Sequence, residues 1–102
     1  KNKIDHKTYV IAGDGCLMEG ISHESLSIAG HLKLKNLILL FDDNSISIDG
    51  PTNLAVSDNN EQRFKSYGWN YLKIDASELP SGNYIFGMKQ NGKRLIKNAL
   101  RL

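Results

Sequence analysis

The chain has 102 residues, enough for one modest domain and too few for a second domain or an enclosed, many-walled active site. Apolar residues make up 40% and charged residues 24%, ordinary globular values, and a net charge of +2 is too small to point to nucleic acid. The single cysteine, Cys16, excludes an internal disulfide framework and fits a reducing, cytoplasmic setting; no apolar run approaches the ~18 residues of a membrane span.

The start, KNKIDHKT, is polar and has no signal-peptide core. It also lacks a methionine and enters a strand within eight residues, as expected of a piece of a longer chain or an unusual start. Thr8 to Ala12 (TYVIA) is short, β-branched and apolar, which predicts a strand buried on both faces and ended by Gly13. A helix is expected to begin between Cys16 and Ser22. Met18, Ile21, Ser25, Ile28, Ala29 and Leu32 recur at three- and four-residue steps, the pattern of one core-facing stripe. Gly30 falls inside it and weakens its last turns by about 1 kcal/mol relative to alanine.

Asn36 to Asp42 (NLILLFD) is a continuous apolar run, as in a central parallel strand. Strand, helix and strand make a βαβ unit with an expected right-handed crossover. DDNSISIDGPTN reads as a loop with a short alternating segment and a turn at Gly50-Pro51. Asp58-Asn-Asn-Glu61 looks like a capping box opening a helix over about 59–67, which Gly68 ends. WNYLKI (69–74) predicts a third strand, giving an α/β class with a βαβαβ core over 1–75. Residues 76–102 form a tail of different character, loop-like with several glycines, then an expected amphipathic helix over 93–102 using Leu95, Ile96, Ala99 and Leu100. The basic residues from Lys89 to Arg101 read as a solvated helix face and not as a nucleic-acid contact.

The chemistry concentrates at two strand ends, Gly13-Asp14-Gly15 and Asp42-Asp43-Asn44-Ser45-Ile46. If the strands are parallel neighbours, both emerge at the carboxyl edge of the sheet, where open α/β folds bind ligands. Glycines let a backbone N–H approach a phosphate closely, and helix starts favour negative charge. An Asp carboxylate, an Asn amide oxygen and a backbone carbonyl are hard oxygen donors, and Mg²⁺ takes six such oxygens, commonly sharing them with phosphate and water. The pattern therefore points to Mg²⁺-diphosphate and away from Zn²⁺.

Other motifs fail on particular residues. Ile21 stands where a Walker A lysine is required, Gly20 comes too late for a dinucleotide fingerprint, and Ser27 replaces the second histidine of a zincin helix. A Cys16/His23 nucleophile pair and an Asp42/Asp43 phosphoacceptor pair remain as minor alternatives. The plainer reading of Asp14 is a turn residue capping the next helix, and that of Asn44 is an Asx turn.

GDGCLMEGISHE (13–24), then SLSIAGHLKLKNLI (25–38), DDNSISIDG (42–50) and FKSYGW (64–69) closely resemble the thiamine-diphosphate signature of transketolases. Bare G-D-G with an asparagine some thirty residues on is shared by thiamine-diphosphate enzymes at large; the extended text is specific to transketolase. The resemblance covers Thr8 to Trp69 and implies a partial three-layer parallel-sheet thiamine-diphosphate-binding fold. It implies that Asp14, Asn44 and the Ile46 carbonyl ligate Mg²⁺, and that the Gly15 N–H contacts the diphosphate. It further implies that Ile48 packs near the thiazolium ring, and that Glu19 lies near a subunit interface linking two active sites. In the family the cofactor sits between subunits, a partner glutamate activates it, and a two-carbon ketol unit passes between sugar phosphates while the protein binds, orients and excludes water.

This chain holds no pyrimidine-binding domain, and none of His6, His23 and His31 matches a substrate histidine of the family. Where the family continues Asp-Gly-His, this sequence has Asp75-Ala76-Ser77. The expectation is a fragment of a transketolase-like transferase, without catalytic residues of its own, that needs a partner subunit or complementary chain. The alternative is a non-catalytic α/β remnant with at most weak Mg²⁺-diphosphate binding. A chain so short is also expected to leave apolar strands such as NLILLF partly exposed.

Overall fold

A computed structural model describes residues 5–75 and 77–80 and the short segments 83–84, 89–90, 93–94 and 99–100. The chain divides into two compact units, Lys1–Leu72 and Lys73–Leu102.

In the first unit, β1 (Thr8–Gly13) and β2 (Leu37–Asp42) pair in parallel, in a register running from Thr8 opposite Leu37 to Gly13 opposite Asp42. A parallel pair needs a crossover, and two helices supply it. Helix α1 (Asp14–Met18) starts directly at the end of β1, earlier than expected, and α2 (Gly20–His31) follows. Glu19, with φ −71° and ψ 137°, is the extended residue that breaks one helix into two. The fold class is thus α/β with a parallel sheet.

The core is small. Ala12 of β1, Leu17 of α1 and Phe64 are buried together, with Leu26, Leu39, Phe41, Trp69 and Tyr71 packed around them. Helix α2 packs on this cluster through Leu26, buries Ala29 and brings Gly30 against Tyr67 and Trp69, whereas Ile21, Ile28 and Leu32 are exposed. The expected core stripe is therefore only partly correct, because α2 carries two apolar stripes and the chain covers one. Gly30 belongs to the covered side. A Cβ there would lie 1.9 Å from the Tyr67 carbonyl oxygen, so the glycine that weakens the helix is what lets α2 approach the following segment.

The ends of α2 and α3 (Asn60–Ser66) share one closing geometry. Lys33 (φ 52°) donates to the Gly30 carbonyl and Leu34 to that of Ala29; Gly68 (φ 83°) donates to that of Lys65 and Trp69 to that of Phe64. Each is a Schellman closure, with a left-handed residue just past the helix. At the other end of α3 the cap is Asn59, whose Oδ1 accepts from the Gln62 N–H at 2.9 Å. Asp58, the expected cap, pairs instead with Arg63. Phe64 then meets Trp69 edge-on at 5.7 Å and Tyr71 at 6.2 Å.

Three expectations change. Residues 69–74 form no strand, because among the described residues no neighbour lies alongside to pair with them; Trp69 and Tyr71 serve as packing groups. Gly50-Pro51 is not the turn: β3 (Ile46–Ser47) pairs antiparallel with β4 (Gly50–Pro51), and the chain reverses at Ile48–Asp49. In the second unit, β5 (Asn83–Tyr84) pairs with β8 (Ala99–Leu100) and β6 (Lys89–Gln90) with β7 (Lys93–Arg94), all antiparallel. Lys93, Arg94, Ala99 and Leu100 are thus extended and not helical, while Leu95 and Ile96 lie outside the described residues. Among the described residues no helix is long and apolar enough to cross a membrane.

Candidate functional site

The register that puts Gly13 opposite Asp42 delivers both strand ends to one edge of the sheet. Asp14, the first residue of α1, is buried, 8% exposed. Its side chain does not cap α1. Instead Oδ2 accepts from the backbone N–H groups of Asn44 (3.2 Å) and Ser45 (3.0 Å), tying the first strand–helix junction to the loop after the second strand. The plain capping reading of Asp14 is therefore replaced by a link across thirty residues. Two N–H groups on one carboxylate oxygen are charge-assisted bonds, of the stronger kind.

Asn44 keeps its turn role. Its Oδ1 accepts from the Ile46 N–H at 2.9 Å, and its amide donates to Asp42 Oδ2 at 3.2 Å. An amide oxygen has two acceptor lone pairs, so one such bond leaves a second available. Ser45 takes φ 61°, and its carbonyl accepts from the Thr52 N–H at 3.0 Å, which closes the β3–β4 hairpin against the site.

Gly15 lies under this hairpin. A Cβ at position 15 would come within 2.9 Å of Ser47 Oγ, so the absence of a side chain lets Ser47 of the hairpin close in on the start of α1. Ile48, at the hairpin tip, has φ 56° and is 95% exposed. A β-branched residue in the left-handed region is strained, at a cost on the order of 1–3 kcal/mol, and this one gains no burial in return. Glu19 is exposed at the α1–α2 break. Cys16 is exposed as well.

Beside Asp14 opens a cavity of about 170 Å³ lined by Asp43, Ser45, Thr52, Asn60 and Arg63 among others. Its walls are mostly polar. Among the described residues no group of three His, Cys, Asp or Glu side chains converges as a metal cluster. The set at this edge is of another kind: one carboxylate, one amide oxygen and backbone groups. Those are hard oxygens, which fit a small hard cation carrying phosphate oxygens.

Asp14 is bonded to the Asn44 backbone, Asn44 to the Ile46 N–H, and Gly15 packs against Ser47, whereas among the described residues Glu19 and Ile48 make no such link; Asn44, Ile46, Glu19 and Ile48 are all exposed. Two contributors have no local signal in the sequence. Ser45 acts through its backbone N–H, which any residue supplies. Arg63 reaches the Leu17 carbonyl from 46 residues away.

A family model, "Transketolase, thiamine diphosphate binding domain", matches residues 1–82. The chain is 57% identical over 79 residues to a transketolase of Staphylococcus aureus (strain MW2), covering 76% of this chain and 12% of that protein. It is 57% identical over 72 residues to a transketolase of Geobacillus stearothermophilus, covering 71% of this chain and 11% of that protein. Among solved structures, a transketolase variant from Pichia stipitis superposes with a TM-score of 0.66 at 56% identity, over 69% of this chain and 10% of its own. Transketolase from Leishmania mexicana gives 0.60 at 53% identity, over 63% and 10%. The chain thus spans about an eighth of the length of the first of these relatives. The 102-residue chain belongs to the transketolase family, by way of its thiamine diphosphate-binding domain.

Proposed function

We propose that residues 1–75 are the Mg²⁺-diphosphate half of a thiamine diphosphate site, with residues 76–102 a divergent tail. The observation that supports this reading is the link from the Asp14 carboxylate to the 44–45 backbone, with Asn44 bonded in turn to the Ile46 N–H and Gly15 packed against Ser47. In this reading Asp14 and Asn44 give side-chain oxygens to Mg²⁺, the Ile46 carbonyl gives a third, and the Gly15 N–H donates to the diphosphate. Ile48 offers its exposed side chain to the thiazolium ring, and Glu19 lies at a subunit contact. The cofactor, when bound, supplies carbanion chemistry; these residues hold and orient it.

The complete reaction, transfer of a two-carbon ketol unit between sugar phosphates in the cytoplasmic pentose phosphate pathway, is proposed only for an assembly in which another subunit or complementary chain supplies the remaining walls. The large uncovered apolar surface, including Ile11 at 79% exposure, supports the need for such a complement. Calorimetry of the purified chain with thiamine diphosphate, with and without Mg²⁺, tests the half-site. Weak, Mg²⁺-dependent binding that Asp14→Ala abolishes is the expected result. No heat at millimolar ligand leaves the non-catalytic remnant as the correct reading, and measurable ketol transfer by the chain alone contradicts the need for a complement.

A further inference from the structure

Helix α1 presents a physical problem. It has five residues, too few to be stable alone, and its last carbonyls are among those that a helix end leaves without an intrahelical partner. Yet it must hold Asp14 and Gly15 steady against the 44–47 segment. The group that meets this need comes from α3. Arg63 Nη1 donates to the Leu17 carbonyl at 3.2 Å and faces His23 Nε2 at 3.5 Å, while Nη2 pairs with Asp58. The Arg63 side chain is only 12% exposed, and it lines the same cavity as Asp14. A buried guanidinium is retained where its planar fork satisfies several acceptors at once, and a cation at a helix C-terminus also complements the helix dipole.

We infer that Arg63 is a positioning residue for the candidate site: it closes the C-terminal end of α1 and thereby holds Asp14 and Gly15 against the 44–47 loop. Asp58 aims the guanidinium, and His23 Nε2 lies beside it at 3.5 Å. The clamp couples α3 to the strand–helix turn through the Leu17 carbonyl. Only its consequence for cofactor binding rests on the proposed function; the clamp itself does not.

Amide hydrogen exchange on the full chain separates this role from general support. In Arg63→Gln, exchange at residues 14–18 and 44–46 is expected to rise by about tenfold, the scale of losing one charge-assisted hydrogen bond, while the β1–β2 ladder from Val10 to Leu40 stays within about twofold. A uniform rise across both regions, or no change at 14–18, overturns the inference. Should Arg63→Gln lose its native fold, Arg63→Lys decides in the same way, because a lysine keeps the charge and reaches one acceptor. Its loss of protection confined to 14–18 and 44–46 supports the clamp, and a uniform loss overturns it.

A parallel titration with Mg²⁺-thiamine diphosphate keeps the two claims apart. If the unaltered chain binds and Arg63→Gln binds at least about tenfold more weakly with the ladder intact, positioning extends to the ligand. If the unaltered chain does not bind, the proposed function fails, and the exchange pattern alone judges the clamp.

Discussion

Helix α2 carries two apolar stripes with opposite surroundings. Leu26 packs against the cluster of Phe64, Trp69 and the strands, and Ala29 is buried; Ile21, Ile28 and Leu32 are exposed, as is Ile11 of β1. The difference shows how a segment of a larger fold behaves. Burial stabilises by about 25 cal/mol per Å² only where a second surface exists to bury against. The covered stripe therefore bears on the stability of this chain, and the bare stripe bears on what the chain can join. The candidate site sits at the rim of the sheet, its carboxyl edge.

The largest test of that contrast sets Phe64→Ala against Ile28→Gln. Truncating Phe64, 4% exposed, is expected to cost about 3–5 kcal/mol and to abolish a cooperative melting transition in a core this small. Ile28→Gln is expected to change stability by less than about 0.5 kcal/mol and to reduce self-association. Thermal melts and light scattering check both; equal losses of stability from the two changes would break the comparison.

Gly30→Ala sharpens it from the covered side. The new methyl would meet the Tyr67 carbonyl, forcing α2 off the segment after α3, at an expected cost of about 1–3 kcal/mol despite alanine's better helix propensity. Denaturant unfolding reads this directly, and a stabilised Gly30→Ala would contradict the close approach.

A smaller effect of opposite sign is expected at the rim. Ile48→Gly relieves a left-handed β-branched residue and should stabilise the chain by about 1 kcal/mol, less the entropy that glycine costs. If Ile48 serves the thiazolium ring, the same change weakens cofactor binding, a trade of function for stability. A neutral melt together with unchanged binding would remove Ile48 from the site.

Much of this was legible in the residues. Two continuous apolar runs separated by a helical stretch specify parallel strands, and parallel pairing alone places Asp14 and Asn44 at one edge. The direction of α2 was not legible, since periodicity reports apolar stripes without saying which one finds a partner. WNYLKI failed as a strand for a related reason: a strand exists only with a neighbour to accept its hydrogen bonds, and propensity does not supply one. The hairpin tip at Ile48 escaped because isoleucine is among the residues least expected at positive φ. Arg63 escaped because its partner is a backbone carbonyl far away in sequence, which leaves no mark on side-chain spacing.

The Asp14–Asn44 edge is proposed above to hold Mg²⁺-diphosphate. The most direct measurement is an amide NMR titration of the full chain with inorganic pyrophosphate, in the presence and absence of Mg²⁺. Saturable, Mg²⁺-dependent shifts of the Gly15, Asn44, Ser45 and Ile46 amides, lost in Asp14→Ala, are expected, with the β1–β2 ladder unmoved. Shifts that ignore Mg²⁺, or that appear elsewhere while these four amides stay still, would contradict it.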